Sequence, residues 1–181
     1  MMGEMIVVPL ATRPRVMITS NPSLVEETSF SLPSDLTEWI PKTELLRLVR
    51  DAVELLDWSN PELVEYLKQH PSYRPKTILC LLVYCYTTGL YDSGEIARAC
   101  YEDDLLRDLS GDAPPIATSI LRFRRENRGL LRWCIGQVLK QAFRTKFEVG
   151  DAVLPSGVTR YLEEAATARV DIARHVDRGS L

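Results

Sequence analysis

The sequence predicts an all-α domain, a bundle of several helices including one long basic amphipathic helix, preceded by an extended N-terminal arm. Three observations predict it. From Thr43 onward, apolar residues recur at three-to-four-residue spacing in one segment after another. Capping residues or a helix-initiating proline stand just before most of those segments, and glycine or proline stands just after them. With 45% hydrophobic and 26% charged residues in 181, the chain can fill one core and is neither a disordered nor a membrane composition.

Residues 1–28 read as the arm. Prolines alternate with short β-branched runs, Ile6-Val7-Val8 and Val16-Met17-Ile18, which suit a strand and lack helical periodicity. The apolar run Met5 to Leu10 follows Glu4 and has neither a basic flank nor the length of a secretory signal. The longest apolar stretch, Ile78 to Tyr86, is far short of the ~20 residues that cross a bilayer. A cytoplasmic protein without a membrane partner is therefore expected.

Helical punctuation begins at Pro33-Ser34-Asp35-Leu36, where Ser34 is the expected cap of a short helix ending near Ile40-Pro41. Thr43 is the expected cap of the next helix, whose stripe is Leu45, Leu46, Val49, Val53 and Leu56. Asn60-Pro61-Glu62 opens a third, with proline at the first helical position where no amide donor is missed, and it should stop before Pro71. Pro75 to Thr88 is apolar on nearly every side, the pattern of the most buried helix, and ends at Gly89. Asp92-Ser93-Gly94-Glu95 forms a capping box for a short helix through Cys100. Leu105, Leu106 and Leu109 mark another short helix, stopped by Ser110-Gly111.

After Pro114-Pro115 a long helix is expected from about Ala117 to Phe147, with Gly129 and Gly136 as sites for a bend. Its wheel gathers Ile120, Phe123, Leu130, Cys134 and Val138 on one side, and Arg122, Arg124, Arg125, Arg128 and Arg132 on the other. Lys140, Arg144 and Lys146 extend the basic character. Beyond Gly150, a loop leads to a final helix with a stripe of Val158, Leu162, Ala165, Ile172 and Val176.

The net charge of −3, from 22 basic and 25 acidic residues, excludes a global electrostatic case for nucleic acid, so any such case is local to the arginine helix. A helix docked by its apolar face can set guanidinium groups against phosphate oxygens or guanine edges. The short helices before it supply the scaffold of a helix-turn-helix, which makes the expected bundle helix-turn-helix-like. Glu102, Asp103, Asp104 and Asp108 lie in the neighbouring segment and offer the alternative, neutralisation of the arginines within the fold.

Cys80, Cys85, Cys100 and Cys134 lack the paired close spacing of a zinc site or disulfide framework, and are expected as buried free thiols. His70 and His175 are too few and too far apart to suggest a metal centre. No metal and no cofactor is expected.

The order Tyr73-Arg74-Pro75, then Leu79 through Gly89, then Ser93-Gly94-Glu95-Ile96-Ala97-Arg98-Ala99-Cys100, resembles the N-terminal domain of DDE-type bacterial insertion-sequence transposases. Leu109-Ser110-Gly111 matches that family's Leu-x-Gly step. Ser119-Ile120-Leu121-Arg122-Phe123-Arg124-Arg125 matches its Thr-Ile-x-Arg-Phe-Arg-Arg signature, and Leu32 to Pro41 resembles its opening. The resemblance covers about residues 29–140. It implies double-stranded DNA as partner, with Thr118, Ser119, Arg122, Arg124, Arg125, Arg128 and Arg132 as contacts, and insertion-element ends or a host site as target.

Two departures stand out. The family's Pro-Asp before the arginine helix is Pro115-Ile116 here, which removes an N-cap. In such transposases a ribonuclease-H-like domain follows, its first catalytic aspartate in an Asp-Gly-Thr motif, whereas after Phe147 this chain reads Glu148-Val149-Gly150-Asp151-Ala152-Val153-Leu154 and then one helix. Two-metal phosphoryl transfer needs carboxylates converging on ions ~3.5–4 Å apart. Asp151, Glu163, Glu164 and Asp171 are read instead as caps and solvated positions, so no catalytic residue and no enzyme activity are expected. The expected organisation is an arm (1–28), a transposase N-terminal-like helical domain (29–147) and a C-terminal linker with a helix (148–181). The rival expectation is a protein-interaction module that dimerises or inhibits a transposase, its final helix offering the contact.

Overall fold

The most apolar segment of the sequence becomes a central helix that packs against four others. The computed structural model describes residues 15–18, 26–61, 64–65 and 74–179. Among them are a short hairpin, β1 (Arg15–Ile18) paired antiparallel with β2 (Glu26–Ser29), and a 3-10 turn (Leu36–Glu38). Seven α-helices follow: α1 (Lys42–Glu54), α2 (Pro75–Thr87), α3 (Ser93–Glu102), α4 (Asp104–Ser110), α5 (Ala117–Glu126), α6 (Arg128–Lys146) and α7 (Ser156–Gly179). The domain is all-α as expected, and the hairpin forms where the β-branched run Val16-Met17-Ile18 suits a strand. In register, Arg15 faces Ser29 and Ile18 faces Glu26.

Helix α2 packs against α1, α4, α6 and α7. Its Leu79, Leu81, Leu82, Val83, Cys85 and Tyr86 are fully buried, and each aliphatic side chain so removed from water contributes about 1.5–3 kcal/mol. The helix ends in a Schellman arrangement. Gly89 takes φ +83°, and the amide of Leu90 donates to the carbonyl of Cys85 at 2.8 Å. Helix α6 supplies the opposite wall, with Leu131, Ile135, Val138, Leu139 and Phe143 fully buried.

Helix α7 lies along α6 and belongs to the same core. Its buried apolar residues are Val158, Tyr161, Leu162, Ala166, Val170 and Ala173, while Ile172 is exposed. Beyond Leu162 the buried positions are thus Ala166 and Ala173 rather than Ala165 and Ile172, about 100° round the helix from the expected ones, because small alanines rather than the larger Ile172 fill the close approach to the core. Val158 and Leu162 of the expected stripe pack against the core, while Ile172 faces outward.

Phe30, directly after β2, anchors the entry of the helical domain in the bundle. Its ring meets Phe143 at 4.9 Å, Tyr161 at 5.3 Å, Phe147 at 5.6 Å and Trp39 at 6.2 Å between centroids. Tilted and edge-on pairs of this kind add about 0.5–1.5 kcal/mol each beyond simple burial.

Several caps differ from expectation. Asp35 rather than Ser34 caps the 3-10 turn, its carboxylate accepting from the Thr37 amide at 2.8 Å and the Thr37 hydroxyl at 2.7 Å. Helix α1 starts at Lys42, one residue before the expected Thr43 cap, because Pro41 holds the extended entry and its carbonyl receives the Leu45 amide. Asp92 does cap α3, accepting from Glu95 N at 2.8 Å. Of the helix expected after Asn60, the first turn is described, with Val64 N donating to Asn60 O at 2.9 Å. Its remainder, His70 and the Ile6-Val7-Val8 run lie outside the described residues.

The long basic helix is two helices. It breaks at Asn127 rather than at Gly129 or Gly136. There φ and ψ are −119° and 32°, and the buried side-chain amide donates to the Phe123 carbonyl at 2.8 Å. A short amide that bonds to the preceding turn competes with helix continuation. Neither glycine breaks α6. Gly136 is buried where α6 approaches α7, and a Cβ there would stand 3.9 Å from Ala166 Cβ.

Candidate nucleic-acid interface

The break at Asn127 sets the arginines on two adjoining helices. Helix α5 begins at Ala117 behind Ile116, with no side-chain cap and no acid in its first turn. This is the consequence expected of losing the family's aspartate before the arginine helix. Thr118 is exposed and Ser119 half-buried at that terminus. A helix start left without a carboxylate keeps its positive end available to an anion.

Ile120 and Phe123 bury the inner face of α5. Arg122 and Arg125 point to solvent, as do Arg128 and Arg132 on the first turns of α6. Arg122 pairs with Glu126 one turn on, at 3.2 Å. Arg125, Arg128 and Arg132 have no hydrogen-bond or ion-pair partner among the described residues.

Arg124 is placed otherwise. Read from the sequence as a DNA contact, it is only 6% exposed and belongs to the interior. Its Nη1 donates to the Tyr86 hydroxyl at 3.0 Å and the Tyr91 carbonyl at 2.7 Å, and its guanidinium is ion-paired with Asp177 of α7. Arg124 follows Phe123 on the edge of the apolar face, so it turns toward α2 and α7. It ties three segments together and is withdrawn from the surface. Burial raises the Tyr86 phenol above its ordinary value, against the opposing pull of the Arg124 charge, so it remains a neutral hydroxyl.

Three of the four acids that were candidates to neutralise the surface arginines are engaged elsewhere. Glu102 is 3.7 Å from Arg98, Asp104 pairs with Arg107, and Asp103 caps α4 through the Leu106 amide at 3.0 Å. Asp108 is exposed. Farther along α6, Lys140 and Arg144 are engaged within the fold, while Lys146 is exposed. Lys140 pairs with Glu163 at 2.8 Å, and Arg144 donates to the carbonyls of Gly150 and Ala152 at 2.7 Å each. Arg132 shares a groove across α6 and α7 with Trp133, whose ring is 41% exposed.

Two arginines escaped the sequence reading. Arg169 is 5% exposed and donates to the carbonyls of Pro33, Ser34 and Tyr86 at 2.6–2.7 Å. It occupies the inner stripe of α7 between Ala166 and Ala173, a position whose spacing was the available signal. Arg174, one turn later, lines a groove of about 340 Å³ together with Arg125 and Arg128, where the end of α5 meets the start of α6. Nothing in its own neighbourhood of the sequence marks that meeting.

Among the described residues no three His, Cys, Asp or Glu side chains are grouped to hold a metal ion, and no helix is long and apolar enough to cross a membrane. The thiols are free, three of them buried and Cys80 half-buried. Burial pushes Cys80 up to about 11 and Cys134 to about 12, and raises Cys85 and Cys100.

No curated protein and no solved structure matches the chain significantly. A protein-family profile does: residues 34–126 match the Transposase domain (DUF772). The match runs from the 3-10 turn through the last residue of α5, and so contains the Arg122-Phe123-Arg124-Arg125 signature. It spans a little more than half of the 181 residues, and the chain accordingly belongs to the Transposase domain (DUF772) family.

Proposed function

We propose that this chain is a transposase-related DNA-binding protein that grips duplex DNA through Arg122, Arg125, Arg128 and Arg132, and that it does so in the cytoplasm without catalysis of its own. The observation that carries this reading is the group of exposed arginines on α5 and α6, three of them free of partners among the described residues. Guanidinium groups without an intramolecular partner have no ion pair to break before meeting phosphates, and can fork onto them bidentately. Thr118 and Ser119 at the uncapped start of α5 add donors beside its positive end. In this reading α3, α4 and α5 form a helix-turn-helix-like unit in which α3 packs on α5, with α5 reading the groove. The acids of α7 support the non-catalytic part: Glu163 pairs with Lys140, and Asp177 pairs with Arg124.

A second reading, pairing with another copy or with a full transposase, draws on the exposed ring of Trp133 beside Arg132. Of the α7 stripe, Val158 and Leu162 are committed to the core and Ile172 alone is exposed.

The test is fluorescence anisotropy with labelled duplexes from the surrounding genome and a scrambled control, at two salt concentrations. Salt-sensitive binding is expected, lost in a variant carrying Arg122→Ala, Arg125→Ala and Arg128→Ala whose circular dichroism is unchanged. Arg124 is kept in that variant because it holds the fold. Absence of binding in low salt overturns the reading and leaves the interaction module.

A further inference from the structure

Resting on the DNA-binding reading, we propose that Arg174 of α7 completes a phosphate-binding notch with Arg125 and Arg128, and that the notch seats one backbone phosphate of the bound duplex. Arg174 lies outside the family match, which stops at residue 126.

The notch is the groove of about 340 Å³ between the end of α5, the start of α6 and the last turns of α7. Arg125, Arg128 and Arg174 reach it from three different helices, and none has a hydrogen-bond or ion-pair partner among the described residues. The Nε of Arg174 is shielded from solvent and lacks an acceptor, and so does the Nε of Arg124 on the inner wall, whose side chain is 94% buried. Both are donors available to an oxygen that enters the groove.

The acid that lines the groove, Asp177, does not neutralise it. Its carboxylate is already shared between Arg124 and the Ser93 hydroxyl, which donates to it at 3.3 Å. Three unopposed guanidinium groups remain. Leu121 and Val170 form an apolar floor, which limits screening by water and strengthens charge-assisted bonds. A tetrahedral anion with several acceptor oxygens suits converging guanidinium forks better than a carboxylate does. Because Arg125 and Arg128 are also on the proposed DNA face, the anion that reaches them there is a backbone phosphate.

The experiment measures duplex binding by anisotropy across a salt series for the wild type, Arg174→Ala, Arg174→Lys and the control Arg160→Ala, an exposed arginine near the other end of α7. Melting temperatures are measured in parallel, in inorganic phosphate and in chloride at equal ionic strength. Arg174→Ala is expected to weaken binding about tenfold for all duplex sequences, and to lower the salt slope by about one. Arg174→Lys should recover part of that loss, Arg160→Ala should behave as wild type, and phosphate should raise the wild-type melting temperature but not that of Arg174→Ala. Unchanged duplex affinity and salt slope in Arg174→Ala, with binding still lost on replacing Arg122, Arg125 and Arg128, overturns the notch and leaves the DNA reading standing. Failure of the wild type to bind duplex overturns both. A phosphate-dependent rise in melting temperature without any duplex effect of Arg174→Ala overturns the assignment to DNA and marks the groove as a small-anion site.

Discussion

Arg124 and Asp177 are ion-paired in the interior, with 6% and 12% of their side chains exposed, and the pair closes the C-terminal helix onto the arginine-bearing helix. Asp177 also receives the Ser93 hydroxyl, so one carboxylate joins α3, α5 and α7. Breaking a buried pair by deleting one partner leaves the other charge uncompensated, at a cost of about 3–5 kcal/mol. Asp177→Ala and Arg124→Ala are each expected to be destabilised by about that amount in urea titrations. A double-mutant cycle should return a coupling well above the ~0–1 kcal/mol of a surface pair. A coupling near zero would remove the pair as the link between the helices.

Arg169 acts as a clasp between α7, the entry segment and the end of α2. Its three acceptors are backbone carbonyls, and that of Tyr86 belongs to the last turn of α2, where no intrahelical donor is available. Arg169→Ala is expected to cost about 3–5 kcal/mol, and Arg169→Lys appreciably less than that while remaining below wild type. An ammonium keeps the charge but not the planar fork. Chemical denaturation of both variants checks the order, and equal losses would mean that charge alone matters.

Two glycines should respond in opposite directions to the same change. Gly89 sits at φ +83°, where an L side chain is strained, so Gly89→Ala is expected to lower stability by about 1 kcal/mol or more. Gly136 is in mid-helix with room for a methyl group at ordinary contact distance from Ala166. Gly136→Ala should be neutral or raise stability by up to about 1 kcal/mol through helix propensity. Thermal melts of the two variants give the signs directly, and a clear loss in Gly136→Ala would show that α6 and α7 approach more tightly than this spacing.

Alkaline pH should weaken the fold. Burial lifts Cys80 from 9.0 to about 11, Cys134 to about 12, and Tyr84 from 10.0 to about 12. Because the folded values lie above the unfolded ones, the neutral groups contribute fully below about pH 9, and that contribution is lost as pH rises toward 11–12. Melting temperature should therefore decline beyond pH 9, and thiol-directed labelling at pH 8 should be slow until the protein is unfolded. Rapid labelling of a native thiol at that pH would contradict the burial of these side chains.

Periodicity and punctuation were enough for the all-α class, the buried Pro75–Thr87 helix, its left-handed end at Gly89, the Asp92 cap and the basic segment. These are local properties, fixed by side chains within a turn or two of one another. The family signature was equally legible, because it is a run of neighbouring residues. Where the long helix breaks was decided by a buried amide at Asn127 rather than by the glycines, since a side-chain bond to Phe123 outweighs glycine's weak preference against helix.

Tertiary structure alone decided which arginines are surface and which are framework. Arg122 and Arg124 are two residues apart in one motif, yet one faces water and the other is buried against Tyr86 and Asp177. Position on a wheel leaves an edge residue undetermined until a neighbouring helix supplies an acceptor, and Asp177 comes from 53 residues later in the chain. Arg174 is set beside Arg125 and Arg128 by the same docking of α7. The sequence by itself determined the helices and their charge, whereas the meeting of charges from separate helices was determined by the packing that buries the core.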